Sequence, residues 1–576
     1  MRLLPLGVAA IAAALYLVGL GAAPFVDPPE GFHAEIAREI ARDGNWLTPR
    51  LNGVRYFDKP PLLYWLMAAS FKVMGPTPFA ARLWSALAAI GCAAVTARLG
   101  MLLGGPRVGL LAGLMVAANL GMFLYGRLVK PDLVFILCIT LAYAGFAAAY
   151  LGRGGWRGLG LFYGALGLAT LAKDPLGAVG PLVAVMLFFW LTRERPLAPW
   201  RPWWGVALLA GLAVPWYVAV ELENRGFLWY TIVDNHLLNL LRQRVFPDED
   251  VPLGALEFLV VTLAAFLPWS LGAPAAALRA LRRPWEGAGD RVWGLLALWA
   301  VLLIGFFTFS PFKLPHYGLP ALPALALLTA RLWDDTIAGR AGGVGVRTLL
   351  APLLVVFALA AAAFGAAWGG VLPIPRGAMT AVDMASRNLA ARGQSAAEAP
   401  LDVFRPVLAT SAVIFALATV GLLAALRRRS AELGATVALA AMLAFLPVAG
   451  RGMTEFARSR SVAPLAEALL ARWQSDQTIV HEGALENAGS LLLMLPGPVH
   501  VVSGLVSNLA FGATFPDARD VFWEPERVRE EWAKPGRHFL ISTADPARSV
   551  VGTLPPAGVH LIATAGGRRL YSNLAD

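Results

Sequence analysis

Apolar runs long enough to cross a bilayer recur along most of this chain, and that recurrence limits its fold more than any motif does. A spanning helix needs roughly 20 apolar residues. Such runs fall near 3–23, 79–100, 108–125, 132–152, 157–172, 175–192, 203–222, 255–278, 291–309, 318–333, 347–369, 406–426 and 433–450. They predict a polytopic α-helical membrane protein with about thirteen transmembrane helices over residues 1–450. The stretch 63–74 is short for a span and is expected to be re-entrant or interfacial. Only 15% of residues are charged, against about 25% in soluble domains, so a mainly soluble protein is excluded.

The net charge of +11 would suggest nucleic acid in a soluble protein. Here the arginines cluster in alternate short loops, as at Arg98 and Arg107, Arg193 and Arg195, or Arg427, Arg428 and Arg429. The positive-inside rule makes those loops cytoplasmic. Segments 24–78, 126–131, 173–174, 223–254, 310–317, 370–405 and the chain after 450 then face outward. The N-terminus has a basic start and an apolar run; an uncleaved span is expected rather than a signal peptide. Cys92 and Cys138 both lie in apolar runs, which argues against a disulfide framework or a cysteine metal site.

The outward segments hold the unusual residues. The first outward loop, 27–78, carries Asp27, Glu30, Asp58 and Lys59 directly after a span. Asp132 heads one apolar run, Lys173 and Asp174 are wedged between two others, and Lys313, His316 and Tyr317 lie in FTFSPFKLPHYGLP. Ionisable groups at such positions point to a site. A surface loop whose amphipathic helix, Glu30 to Arg42, lies on the membrane is the simpler alternative. From 451 to 576 the composition changes. TIVHEGA, PVHVVSG, RHFLIST and GVHLIATA read as short strands, and LENAGSLLLML and EPERVREEWAK as helices. A small C-terminal extracytoplasmic α/β domain is expected.

AEIAREI followed by GNWLTPRLNGVRYFDKPPLLYW resembles the first outward loop of the bacterial aminoarabinose transferases that modify lipid A. These belong to a wider class of membrane glycosyltransferases that use polyprenyl-phosphate sugars and include the protein O-mannosyltransferases. Asp132, LAKDP (171–175), VDNHLLNL (233–240), FKLPHYGLPALPALALL (312–328) and LAFGATFPDARDVF (509–522) resemble further family segments. The chain departs from the pattern in four places. Pro29-Glu30 stands where the family has Asp-Glu, Phe32-His33 replaces Arg-Tyr, Asp58 replaces Glu, and Asp174 replaces Gly.

The resemblance implies a GT-C fold in the bacterial inner membrane, with the site facing the periplasm. It implies an inverting glycosyltransferase that moves a sugar from a polyprenyl-phosphate donor to an envelope acceptor: a lipid A-like glycolipid, another glycan or a protein. Such transfer uses a carboxylate to orient or deprotonate the acceptor, here Asp27 or Glu30, with Asp132 as the second carboxylate. Cations must hold the lipid phosphate and stabilise its departure. Lys59 and Lys313 are the first candidates, with Tyr317 as hydrogen-bond donor and Arg55 or Lys173 in reserve. Asp58 and His236 resemble a family pair that holds a divalent ion, zinc-like or magnesium or manganese. Two ligands fall short of zinc's usual four, and a hydrogen-bonded structural His236 is the alternative. A transporter or flippase for a lipid-linked glycan is the rival reading. It expects repeated halves and charges on both sides of the midplane, whereas here the charges crowd the outer ends and no repeat is visible.

Overall fold

A computed structural model describes residues 3–247, 250–342, 344–371, 384–391, 399–475 and 477–575. Part of the expected outward loop 370–405 therefore lies outside the described residues. Each of the thirteen expected apolar runs contains helix, but several are shorter or broken. Among the described residues seven helices are long and apolar enough to span a membrane, or up to eight if one bent pair counts as a span. The count of thirteen spans is not confirmed.

The first half runs α1 (Leu4–Leu17), α2 (Gly31–Asp43), β1 (Arg50–Leu51), β2 (Val54–Arg55), α3 (Leu62–Met74), α4 (Pro78–Gly104), α5 (Pro106–Ala117), α6 (Leu120–Gly126), α7 (Asp132–Tyr150), α8 (Gly155–Ala172), α9 (Leu176–Thr192) and α10 (Trp203–Glu223). The break between α5 and α6 has a clear cause. Buried Asn119 donates from Nδ2 to the carbonyls of Met115 and Val116 at 2.9 and 2.8 Å, and its Oδ1 accepts from Met122 N–H at 2.9 Å. One side chain thus ends α5 and caps α6, and the pair bends by 55°. The expected run 255–278 likewise divides into Ala255–Ala265 and Ala273–Arg282, with Pro268 between them. Where helices cross closely, small residues face each other. A Cβ on Gly145 would lie 2.6 Å from the carbonyl of Gly158, so α7 and α8 meet backbone to backbone.

Helix α2 does not lie on the membrane surface with one face in water. Ala34, Ile36, Ala37 and Ile40 are fully buried, and each isoleucine contributes about 2 kcal/mol of hydrophobic stabilisation. They belong to one core with Leu485, Ala488 and Leu491 from the C-terminal region. The helix ends where Gly44 takes φ 72° and returns its N–H to Ile40 O at 3.0 Å.

The last long apolar helix continues to Arg460, ten residues beyond the expected end of the membrane region. A six-stranded sheet follows: β3 (Thr478–Glu482), β4 (His500–Val502), β5 (Phe522–Trp523), β6 (His538–Ser542), β7 (His560–Ala565) and β8 (Arg568–Ser572). Its order is β5-β4-β3-β6-β8-β7. The first four strands are parallel, and β8 pairs antiparallel with both β6 and β7. Alternation along the strands explains how the sheet docks. Val480, Val502 and Leu540 pack with Trp523 and Trp532 on one face. Ile479, Val501 and Ile541 point the other way and join the core that contains α2.

Candidate active site

The outward segments meet around one cavity of about 1390 Å³. The first outward loop contributes Pro29, Phe32, His33, Tyr56, Asp58 and Lys59, and Arg127, Lys130 and Asp132 come from the α6–α7 junction. Lys173 and Asp174 follow α8, His236 and Arg244 come from 229–244, and His316 and Tyr317 come from the turn after Ala288–Phe309. Glu486 and Asn508 close the side nearest the sheet.

Asp132 is the hub. It is the first residue of α7, where the helix end favours an anion. Lys173 terminates α8 and donates to Asp132 Oδ1 at 2.5 Å, while its ammonium lies 4.8 Å from the centre of the Tyr317 ring. His316 Nε2 lies 3.8 Å from the same carboxylate oxygen. Burial pushes His316 down to about 3, against the pull of Asp132, so the imidazole is neutral. Lys59 donates to Asp58 at 2.6 Å, and the Tyr56 hydroxyl donates to it at 3.4 Å. Burial raises the Asp58 carboxyl, but Lys59, Arg244 and Tyr56 together hold it below its usual range. Lys130 makes no ion pair among the described residues. Burial lowers its ammonium, opposed by Asp132 and Asp250.

Asp27 and Glu30, expected to supply the general base, are not among the cavity-lining residues. Glu30 is wholly buried and spent on Arg82, which donates to its two oxygens at 2.8 and 2.6 Å. The N–H groups of Val26 and Val129 fill its remaining acceptor positions at 3.0 Å each. Asp27 turns toward the C-terminal region and accepts from Ser490 N–H at 3.0 Å and from the Ser490 hydroxyl. Between them the chain presents Pro28 and Pro29, not a carboxylate, to the cavity.

Arg55 also faces away. It pairs with Asp517 at 2.9 Å and donates to Asn224 at 2.7 Å. Lys313 is buried and donates to the carbonyls of Thr308 and Ser310 at 3.1 and 2.6 Å, which closes the end of the preceding helix. Neither is brought to the cavity wall. His236 sits in the π-helical segment Trp229–Leu238, with Nδ1 2.5 Å from Thr231 O. It shares the cavity with Asp58, but among the described residues no group of three or more His, Cys, Asp or Glu side chains could hold a metal. Lys59 already neutralises Asp58. This donor set does not fit a zinc site.

Several lining residues have no role assigned from the sequence, among them Arg244, Glu486, His33 and Lys130. His33 bonds through Nδ1 with the Tyr64 hydroxyl at 2.9 Å, and burial drives its pKa well below the usual value. Its place as a substitution in a motif was the available signal. Lys130, next to Pro131-Asp132, stands out in the sequence as an outward cation beside a span, but nothing local assigns it a role.

Residues 7–231 match the family model described as dolichyl-phosphate-mannose-protein mannosyltransferase. The undecaprenyl phosphate-alpha-4-amino-4-deoxy-L-arabinose arabinosyl transferase 2 of Sodalis glossinidius is 32% identical over 373 residues, 63% of this chain and 65% of that one. The corresponding Shewanella sediminis transferase is 29% identical over 345 residues, 58% and 61% of the two chains. The resemblance to the polyprenyl-phosphate-sugar transferases holds. These alignments span less than two thirds of the length of either relative. The crystal structure of ArnT from Cupriavidus metallidurans bound to undecaprenyl phosphate matches with a TM-score of 0.78 at 22% identity, over 99% of this chain and 98% of that one. The chain has that fold, and it is a multi-span membrane protein.

Proposed function

We propose that this protein is an inverting glycosyltransferase that moves a sugar from polyprenyl phosphate to an envelope acceptor. One observation carries the reading: a single cavity has two kinds of wall. Lys59, Lys130 and Arg244 line its polar part, and Leu176, Val179, Val183, Leu302 and Phe306 line an apolar part between α9 and Ala288–Phe309. A phosphate with a prenyl chain needs both. Lys130 neutralises the phosphate, and Lys59, whose charge is shared with Asp58, hydrogen-bonds it, so that both stabilise it as it leaves. Tyr317 lines the same cavity, with its ring centre 4.8 Å from the Lys173 ammonium.

Asp132 orients the acceptor oxygen, and Lys173 fixes the carboxylate from behind. If the acceptor is a hydroxyl, Asp132 takes its proton; a phosphate acceptor needs no base. The acceptor oxygen then bonds to the anomeric carbon from the face opposite the phosphate. The old carbon–oxygen bond breaks, and polyprenyl phosphate departs with the electron pair. Asp27, Glu30, Arg55 and Lys313 serve as anchors around this centre.

The names of the relatives make an amino sugar on undecaprenyl phosphate the first donor to try. A lipid A-like glycolipid is the first acceptor, before other glycans or protein. The arginine-rich loops support an inner-membrane orientation with the cavity toward the periplasm. The test is release of undecaprenyl phosphate by purified protein in lipid nanodiscs supplied with undecaprenyl phosphate-4-amino-4-deoxy-L-arabinose and host lipids. Release that requires acceptor lipid supports the reading. Movement of intact donor across a vesicle bilayer without release would make the protein a flippase.

A further inference from the structure

Asp174 stands in the cavity wall one residue after Lys173, in the turn between α8 and α9. Its backbone is fixed, with the carbonyl accepting from Gly177 N–H at 3.0 Å. Its side chain has none of the ordinary uses of such a carboxylate. It does not cap α9, whose N-terminus receives no side-chain hydrogen bond. Lys173 turns instead to Asp132 at 2.5 Å, and among the described residues Asp174 forms no ion pair. The neighbouring Tyr217 hydroxyl donates to Thr170 O at 3.0 Å. Asp174 is half-buried: its Oδ1 is closed off with no hydrogen-bond partner, while Oδ2 is not sealed and the residue stands in the cavity wall.

A carboxylate can accept about four hydrogen bonds, and one held at a cavity wall with neither an ion pair nor a hydrogen bond is rare in native proteins. Its open oxygen, Oδ2, is offered to what enters the cavity. A polyprenyl-phosphate sugar has three parts. The prenyl chain has no hydrogen-bond donor, and the phosphodiester is an anion that a carboxylate repels. Of the donor lipid only the sugar carries hydroxyl or ammonium groups, and the acceptor's hydroxyl is taken up by Asp132. We infer that Asp174 is a sugar-recognition residue, which accepts a hydrogen bond from a hydroxyl or ammonium group of the glycosyl unit on the donor lipid. This rests on the transferase reading above and adds to it the residue that reads the sugar.

The experiment measures binding to the full-length protein in nanodiscs, without acceptor. Three probes are used: undecaprenyl phosphate, undecaprenyl phosphate-glucose and undecaprenyl phosphate-4-amino-4-deoxy-L-arabinose. Wild type is compared with Asp174→Asn and Asp174→Glu. Asp174→Asn should bind a sugar-bearing lipid roughly tenfold or more weakly, the effect of losing a charge-assisted hydrogen bond, and bind the bare lipid as wild type does. Asp174→Glu should recover part of the loss. Loss for both sugars identifies a hydroxyl, and loss for the aminoarabinose lipid alone identifies the ammonium. The inference is overturned if Asp174→Asn binds the sugar-bearing lipids as tightly as wild type, or if it loses the bare lipid equally. A wild type that binds none of the three would overturn the transferase reading itself.

Discussion

Glu30 and Asp27 show how far a residue's role depends on partners distant in sequence. Both stand in the motif-bearing loop, and adjacency to a span made both look reactive. Arg82, 52 residues on, takes up Glu30, and Ser490, 463 residues on, takes up Asp27. No local pattern announces such partners. Asp132 and Lys173 could be picked out because an ionisable residue at the edge of an apolar run is costly, and the structure brings both to the cavity. Glu30→Gln leaves the Arg82 guanidinium buried without its counter-charge, so unfolding should become easier by about 3–5 kcal/mol. Denaturant titration of the purified protein measures this, and an unchanged midpoint would refute the anchor role. Asp27 also sets a pH dependence. Burial raises its carboxyl from 3.8 to about 6, although Arg568 and the Ser490 bonds pull it down. The folded state therefore holds this proton more tightly than the unfolded chain. The stabilisation is full below about pH 4 and is lost as pH rises through about 6, by about 3 kcal/mol in total. Between pH 5 and pH 7.5 the wild type should lose more thermal stability than Asp27→Asn; a larger loss in the variant would contradict the assignment.

At the scale of elements, the first outward loop and the C-terminal sheet form one unit. Gly31 and Gly489 meet with no space for a side chain, because a Cβ on either would strike the other segment's backbone. Arg38 donates to Leu492 O at 3.2 Å, and Asn52 and Val499 exchange two hydrogen bonds at 2.6 and 3.1 Å. Segment 509–522 completes the joint. Phe511 lies against Phe57 and stacks on Tyr230, and Asp517 bridges Arg50 and Arg55. Gly489→Ala should therefore push the sheet off α2 and cut transfer, while leaving the membrane helices folded. Limited proteolysis should then cleave the region after Arg460 faster than in wild type; equal protection would show that the joint tolerates the extra methyl group. The four strands expected from β-branched runs coincide with β3, β4, β6 and β7. The sequence offered no cue for the joint, because the two faces of a buried strand read as one apolar run. The broken helices were hidden for a related reason. Asn119 is a single polar residue in an apolar stretch, and only its three hydrogen bonds reveal that it ends one helix and begins another.

For the whole molecule, the apolar runs carried most of the helical architecture. The number of true spans could not be counted from run length, since short and bent helices give the same composition as straight ones. The orientation makes a direct prediction. A cysteine introduced at Ala575, in the exposed end of the chain, should react with an impermeant thiol reagent added to intact spheroplasts. Labelling only after lysis would reverse the assignment of sides. The central claim is that donor lipid reacts in the cavity around Asp132 and Lys59, with Asp27 acting as an anchor outside it. The most direct measurement is single-turnover release of undecaprenyl phosphate, per folded protein, by wild type, Asp132→Asn, Lys59→Ala and Asp27→Asn. Release should fall by about a hundredfold or more in Asp132→Asn and Lys59→Ala, and the folded fraction of Asp27→Asn should keep most of it. Full release by folded Asp132→Asn together with none by folded Asp27→Asn would contradict the account.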